Sequence, residues 1–253
     1  MKLNKILFPL YAYKQYKELW DRLYIMEDAL NWVINSPKYI SSKDTGFNGQ
    51  QFRKRIFKDL LDSFQFDAIV ETGTYTGNTT GYLSEVSNLP VYTCELNKWF
   101  YSIAQMRLKD FSNIHFTLGD SRVFLEKLAQ SELTDKNVFI YLDAHWYNDL
   151  PLHYELKIIS EHWKNFVIMI DDFQVPDDSG YGYDHYSKKK SFRLKIFGKL
   201  FSYYNLKPFF PAAFSHRETG WRRGCVVLAP KGEYSEKLNG IESLRRVDKQ
   251  IQK

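Results

Sequence analysis

Five places in this 253-residue chain set carboxylates or glycines directly after short apolar runs. The first reads Glu71-Thr72-Gly73-Thr74-Tyr75-Thr76-Gly77-Asn78-Thr79. Two glycines four apart permit a tight turn whose backbone approaches a ligand closely. The three-glycine spacing of a dinucleotide loop is not met. A carboxylate at Glu71, just ahead of the turn, would repel a pyrophosphate and suit a cationic ligand. The second place is Cys94-Glu95-Leu96, two dozen residues after Glu71. An acid there can accept hydrogen bonds from both hydroxyls of a ribose. The third, Gly119-Asp120-Ser121, is placed to meet an adenine amino group. Singly, each acid is more often a helix cap or a solvated loop residue. Together, three polar ends on consecutive strands describe one nucleoside-shaped site.

The fourth and fifth places are Leu142-Asp143-Ala144-His145-Trp146 and Asp171-Asp172-Phe173. Asp143 and Asp171 stand 28 residues apart, one strand–helix–strand step, so their strand ends should be neighbours. Like charges brought close disfavour ionisation, and a hard divalent cation would relieve Asp143, Asp171 and Asp172 together. The competing reading makes one aspartate a helix cap and leaves the others solvated. His145 suits proton removal at neutral pH, and suits stacking beside a nucleobase equally well.

These residues need elements to position them. From Asp67 onward, apolar runs alternate with helical stretches. Strands are expected at 68–71, 91–96, 114–118, 138–142 and 166–170, with helices at 79–86, 99–111, 122–129 and 152–163. Such β–α repetition implies a parallel sheet covered by helices on both faces. The tail reads as a helix over 192–204 and two strands, 208–214 and 224–228, in an antiparallel hairpin. Ahead of the sheet lies a helix over 52–64. Before it, Leu19, Leu23, Met26, Leu30 and Val33 form one helical face that Pro37 ends. That stripe suits packing on the main domain, with a partner helix of a second copy or a membrane surface as alternatives. Residues 1–64 are therefore read as a helical extension and 65–253 as the ligand-binding domain.

Composition excludes several classes. Thirty-five basic against 30 acidic side chains leave a formal charge of +5, without the basic stripe that nucleic acid demands. No apolar run reaches the length of a membrane span. Two cysteines, Cys94 and Cys225, cannot build a disulfide framework, and a reducing cytoplasm is the simplest setting. Should they lie four strands apart, about 19 Å, they must be free thiols.

With order and spacing retained over roughly residues 67–230, the chain resembles the class I S-adenosylmethionine-dependent methyltransferases. Tyr75 in the glycine loop is similar to the catechol and macrocin-type O-methyltransferases. The resemblance implies a Rossmann-like methyltransferase fold, a mostly parallel seven-stranded sheet with the 224–228 strand antiparallel among parallel neighbours. It implies that Glu71, Gly73, Tyr75, Gly77 and Thr79 surround the methionine part of the cofactor. Glu95 and Leu96 would hold the ribose, Asp120 and Ser121 would flank the adenine, and Asp143 and Trp146 would complete the cofactor site. A magnesium site would use Asp143, Asp171 and Asp172, with Asp172 where catechol-type enzymes carry Asn. Those enzymes use a lysine base at a position where this chain, with Ala144 inserted, has Tyr147. His145, beside Asp143, becomes the candidate catalytic base. The expected activity is O-methylation of a small phenol or sugar. Metal-independent transfer, a nicotinamide oxidoreductase and a non-catalytic binding protein are the competing readings, and the missing third glycine opposes the oxidoreductase.

Overall fold

A computed structural model describes residues 45–145, 149–187 and 190–247, together with eight positions between 13 and 27. The chain divides into two compact units, Met1–Ile40 and Ser41–Lys253. In the first, the described positions, Leu19 and Leu23 among them, are helical. Met26, Leu30, Val33 and Pro37 of the expected stripe lie outside the described residues.

The second unit holds α1 (Gln51–Ser63), β1 (Ala68–Thr72), α2 (Asn78–Ser87), β2 (Val91–Glu95) and α3 (Lys98–Arg107). It continues with β3 (Ile114–Leu118), α4 (Ser121–Leu128), β4 (Asn137–Leu142), α5 (Leu152–His162) and β5 (Asn165–Ile170). A small hairpin, β6 (His185–Ser187) and β7 (Lys190–Ser191), precedes α6 (Leu194–Tyr203), β8 (Leu206–Pro211), β9 (Val226–Pro230), α7 (Glu233–Asn239) and β10 (Leu244–Arg245). The main sheet runs β10-β8-β9-β5-β4-β1-β2-β3. β3, β2, β1, β4 and β5 pair in parallel, and β9 pairs antiparallel with both β5 and β8. The expected parallel sheet and C-terminal hairpin are present.

Three features differ from the sequence reading. The sheet has eight strands rather than seven, because two residues of β10 add to the edge at β8. Two residues are too few to give a periodicity. Between the expected strand at 166–170 and the expected helix at 192–204 no element was read, yet β6 and β7 pair antiparallel there. The extension was expected to end at residue 64, yet α1 belongs to the compact unit that begins at Ser41. Its Ile56, Phe57 and Leu60 are buried beside Phe139 and Ile69 of the sheet, so apolar burial ties it there.

Alternation along the strands builds two cores. Val138, Ile140 and Leu142 face one side with Leu125, Leu156 and Phe197 from α4, α5 and α6. Phe139 and Tyr141 face the other with Phe57, Leu83 and Leu238 from α1, α2 and α7. Cys94 on β2 and Cys225, the residue just ahead of β9, are buried free thiols, and those two strands stand four places apart. Among the described residues no helix is long and apolar enough to cross a membrane.

Candidate active site

The carboxyl ends of β1 to β5 converge, and the five sequence motifs lie on them. β1 ends in a sharp turn because Gly73 and Gly77 take φ +89° and +82°, where a Cβ is unfavourable. Space enforces the same choice: a Cβ on Gly73 would lie 2.4 Å from the carbonyl oxygen of Asp143. Tyr75 also adopts positive φ (49°), and its ring packs on Phe100 at 4.3 Å between centroids. Its amide donates to Glu95 Oε2 at 2.7 Å, and Asn97 N donates to Oε1 at 2.8 Å. The glycine turn and the acid that closes β2 are thereby fixed to each other.

Glu71 is fully buried. Its Oε2 accepts from Thr80 Oγ1 at 2.5 Å and Thr93 Oγ1 at 2.7 Å, while Oε1 has no hydrogen-bond partner. Burial pushes its pKa up to about 7 against the help of those two hydroxyls. Burial also raises Glu95, opposed by its backbone amide donors. Thr79 Oγ1 accepts from the amide of Phe47 at 3.2 Å, and Leu96 lies 70% exposed just past β2.

Asp120 caps α4, accepting from Arg122 N at 2.8 Å and pairing with the Arg122 guanidinium at 2.5 Å. That arginine holds Asp120 below its ordinary value. Ser121 is buried beside Glu155, a carboxyl on α5 that the sequence reading did not single out. Burial lifts Glu155 to about 7, opposed by the nearby Ser121 and Thr72 hydroxyls. Trp146 and Tyr147 lie outside the described residues.

The structure separates the three aspartates expected to share a cation. Asp143 and Asp172 meet at His145, with His145 Nε2 at 3.8 Å from Asp143 Oδ1 and 3.6 Å from Asp172 Oδ2. Burial and the neighbouring charges of Asp171 and Asp172 hold Asp143 well above its ordinary value. Asp171 is taken up by other partners. It pairs with the buried Arg53 guanidinium, accepts from Tyr141 Oη at 2.5 Å and accepts from Asp172 N at 2.7 Å. A cation site built on all three aspartates does not fit this arrangement.

Two arginines missed by the sequence reading relieve part of the repulsion that suggested the cation. Arg53 serves Asp171, and Arg223 pairs with both Asp172 and Asp184. Asp184, from the segment ahead of β6, also brings Oδ2 to 3.5 Å from His145 Nε2. Arg223 counters the burial penalty on Asp172 and, with His145, draws it below its ordinary value. The backbone contributes too, since Asp172 sits at φ 53°, a left-handed conformation that persists only where surroundings enforce it.

This architecture is shared with solved structures. An O-methyltransferase from Bacillus cereus, in complex with SAH, superposes at TM-score 0.54 with 18% identity, covering 81% of this chain and 90% of that one. TomG from Streptomyces achromogenes, an O-methyltransferase involved in tomaymycin synthesis and solved with SAM, superposes at 0.52 with 15% identity, covering 71% and 80%. No protein-family model matches the sequence, and no curated protein matches it. At these identities the likeness establishes the fold: this chain has the Rossmann-like fold of class I methyltransferases.

Proposed function

We propose that the protein is an S-adenosylmethionine-dependent methyltransferase that methylates a hydroxyl oxygen of a small acceptor, a phenol or a sugar. The observation that carries this reading is the buried, half-partnered Glu71 carboxyl at a glycine turn hydrogen-bonded to Glu95. A buried acid with one vacant oxygen beside such a turn suits an ammonium group. An acid on the next strand end suits ribose hydroxyls. Free, buried thiols at Cys94 and Cys225 accord with a reducing, cytoplasmic setting.

When bound, the cofactor supplies a methyl carbon already activated by a positively charged sulfur. The chain's own residues then have three tasks. Gly73 and Gly77 let the backbone come close, Glu71 and Glu95 orient the two ends of the cofactor, and Asp120 with Ser121 border its base. At the other end, the Asp143–His145–Asp172 cluster receives the acceptor proton. The oxygen lone pair forms the new C–O bond as the C–S bond breaks, and the electron pair stays on sulfur as S-adenosylhomocysteine. Alignment of this kind is worth roughly 7–11 kcal/mol in model reactions.

The first test is thermal melting with S-adenosylhomocysteine and, separately, NAD. A ligand at about 100 times its Kd adds roughly 2.7 kcal/mol, a shift of roughly 5–10 °C for a chain this long. We expect that shift with S-adenosylhomocysteine and none with NAD. No shift with S-adenosylhomocysteine at saturation would sink the proposal.

Glu71 also predicts how binding depends on pH. Its folded pKa near 7 lies above the ordinary 4.5, so the free protein loses stability from this group as pH rises from 4.5 through 7. An ammonium bound at Oε1 reverses the preference and expels the proton. Affinity for S-adenosylhomocysteine should therefore climb by up to about tenfold per pH unit below pH 7 and level off above it. Glu71→Gln should weaken binding and flatten the profile. Calorimetry in two buffers of different ionisation enthalpy would count the released proton, and no release at pH 6 would contradict the role of Glu71.

A further inference from the structure

Within the cluster that receives the acceptor proton, His145 has the least explained environment. Its side chain is 5% exposed, and its Nε2 is buried without a hydrogen-bond partner. Three carboxylate oxygens surround that nitrogen at 3.5–3.8 Å, with none making a hydrogen bond to it. These are the separations expected between ligands around a common centre. With metal–nitrogen and metal–oxygen bonds near 2.1 Å, neighbouring tetrahedral ligands stand roughly 3.4 Å apart.

The arginine contacts agree with that geometry. Arg223 takes Oδ1 of Asp172 and Oδ1 of Asp184, and in each case Oδ2 is the oxygen left facing His145. Tyr186 Oη donates to Oδ2 of Asp184, which places that residue at the rim. Asp143, His145 and Asp172 each offer one ligand atom, all within 4.8 Å of one another. Charge points the same way. Four carboxylates, Asp143, Asp171, Asp172 and Asp184, face two guanidiniums, Arg53 and Arg223, and the two negative charges left over equal what a divalent cation cancels.

We propose that Asp143, His145 and Asp172 form a mixed carboxylate–imidazole site for a divalent first-row transition metal, with Zn2+, Co2+ or Fe2+ preferred over Mg2+. The preference follows from the donors. Magnesium demands near-octahedral oxygen ligation, whereas an imidazole nitrogen suits the later metals. His145 is then a ligand rather than the base. A bound ion would acidify the acceptor hydroxyl as a Lewis acid, and Asp184, held by Arg223 and Tyr186 beside the site, would take its proton in place of His145. This role for the ion rests on the methyl-transfer reading, whereas the site itself stands on its own geometry.

The test is titration of the metal-free full chain with Co2+, followed by its visible absorption, alongside Mg2+ by calorimetry. Wild type should bind Co2+ stoichiometrically and Mg2+ at least about 100-fold more weakly. His145→Ala and Asp172→Asn should each lose more than about 100-fold in Co2+ affinity, beyond the 10–100-fold typical of groups that merely support a ligand. X-ray absorption at the zinc edge of the wild type should show imidazole scattering. That last reading requires no variant to fold. Magnesium binding as tight as cobalt, undiminished cobalt binding by folded His145→Ala, or zinc without imidazole scattering would each overturn the site. S-adenosylhomocysteine binding in the same metal-free preparation reports on the methyl-transfer reading separately, so the two failures are distinguishable.

Discussion

Gly73→Ala should lower affinity for S-adenosylhomocysteine by more than about 100-fold. The added Cβ would lie 2.4 Å from the carbonyl oxygen of Asp143, 2.6 Å from its carbonyl carbon and 3.0 Å from the amide of Ala144. All three are backbone atoms at the end of β4, and Asp143 N is itself bonded to Thr72 O at 2.9 Å. No rotamer change can make room. Separating the strand ends would move the glycine turn and the Asp143–His145 segment together. Alternatively, the residue would leave φ +89° and carry the turn with it, since a side chain there costs about 1–3 kcal/mol. Gly198 in α6 provides the control, because a Cβ there meets nothing within 4 Å and the residue lies outside every motif of the site. Gly198→Ala should leave binding intact and, in a helix interior, change stability by no more than about 1 kcal/mol. Equal affinities for the two variants in a calorimetric titration would show that the turn is not where the cofactor lies.

The contrast between these glycines shows what the sequence makes legible. The motif Glu71 to Gly77 sits after an apolar run and before a helix, so its position at a strand end follows from periodicity. The same holds for Glu95, Asp120, Asp143 and Asp171, each directly after its run. Five strands and their parallel order were accessible for that reason. Which way each acid points was not. Asp171 and Asp172 are consecutive, but they lie in the turn after β5, where Asp172 takes φ 53° and its side chain parts from that of Asp171. A linear reading placed both in one cluster, whereas the fold sends Asp171 to Arg53 and Asp172 to His145 and Arg223.

The missed residues share a property. Arg53 lies 118 positions from Asp171, and Arg223 lies 51 from Asp172 and 39 from Asp184. Arg53 and Asp184 sit beside no apolar run that would mark them, and Arg223 stands ahead of the 224–228 run rather than after it, where the site was sought. A signal did exist in the helix containing Arg53, where the charge falls within the apolar face formed by Phe57 and Leu60 at i+4 and i+7. A basic residue on a buried helical stripe needs an acidic partner, which is a question the sequence could have prompted. The acid on α5 posed the same question, since Glu155 stands one residue before Leu156 in a run that otherwise buries apolar side chains.

Arg53→Met should destabilise the protein by roughly 3–5 kcal/mol, the range measured when one member of a buried ion pair is removed. Arg53 and Asp171 are each 2% exposed at the side chain. Without the guanidinium, Asp171 retains only Tyr141 Oη and the amide of Asp172 to balance a full charge out of water. The carbonyl of Arg223 also loses a donor but keeps Gln50 Nε2 at 2.8 Å. Methionine roughly preserves the apolar volume, so the loss reports charge rather than a cavity. Replacing both partners removes the stranded charge, because an ion pair exchanged for neutral groups of similar shape is often close to neutral in stability. Arg53→Met with Asp171→Asn should accordingly recover most of the loss in urea melts, and the deficit that remains measures the lost donor at Arg223. A single variant weakened by less than about 1 kcal/mol would place Arg53 among the surface-like pairs that contribute little. A double variant as weak as the single would show that Asp171 was never the group at risk. Either outcome would also remove the reason for excluding Asp171 from the cluster around His145, since that exclusion depends on Arg53 holding it away.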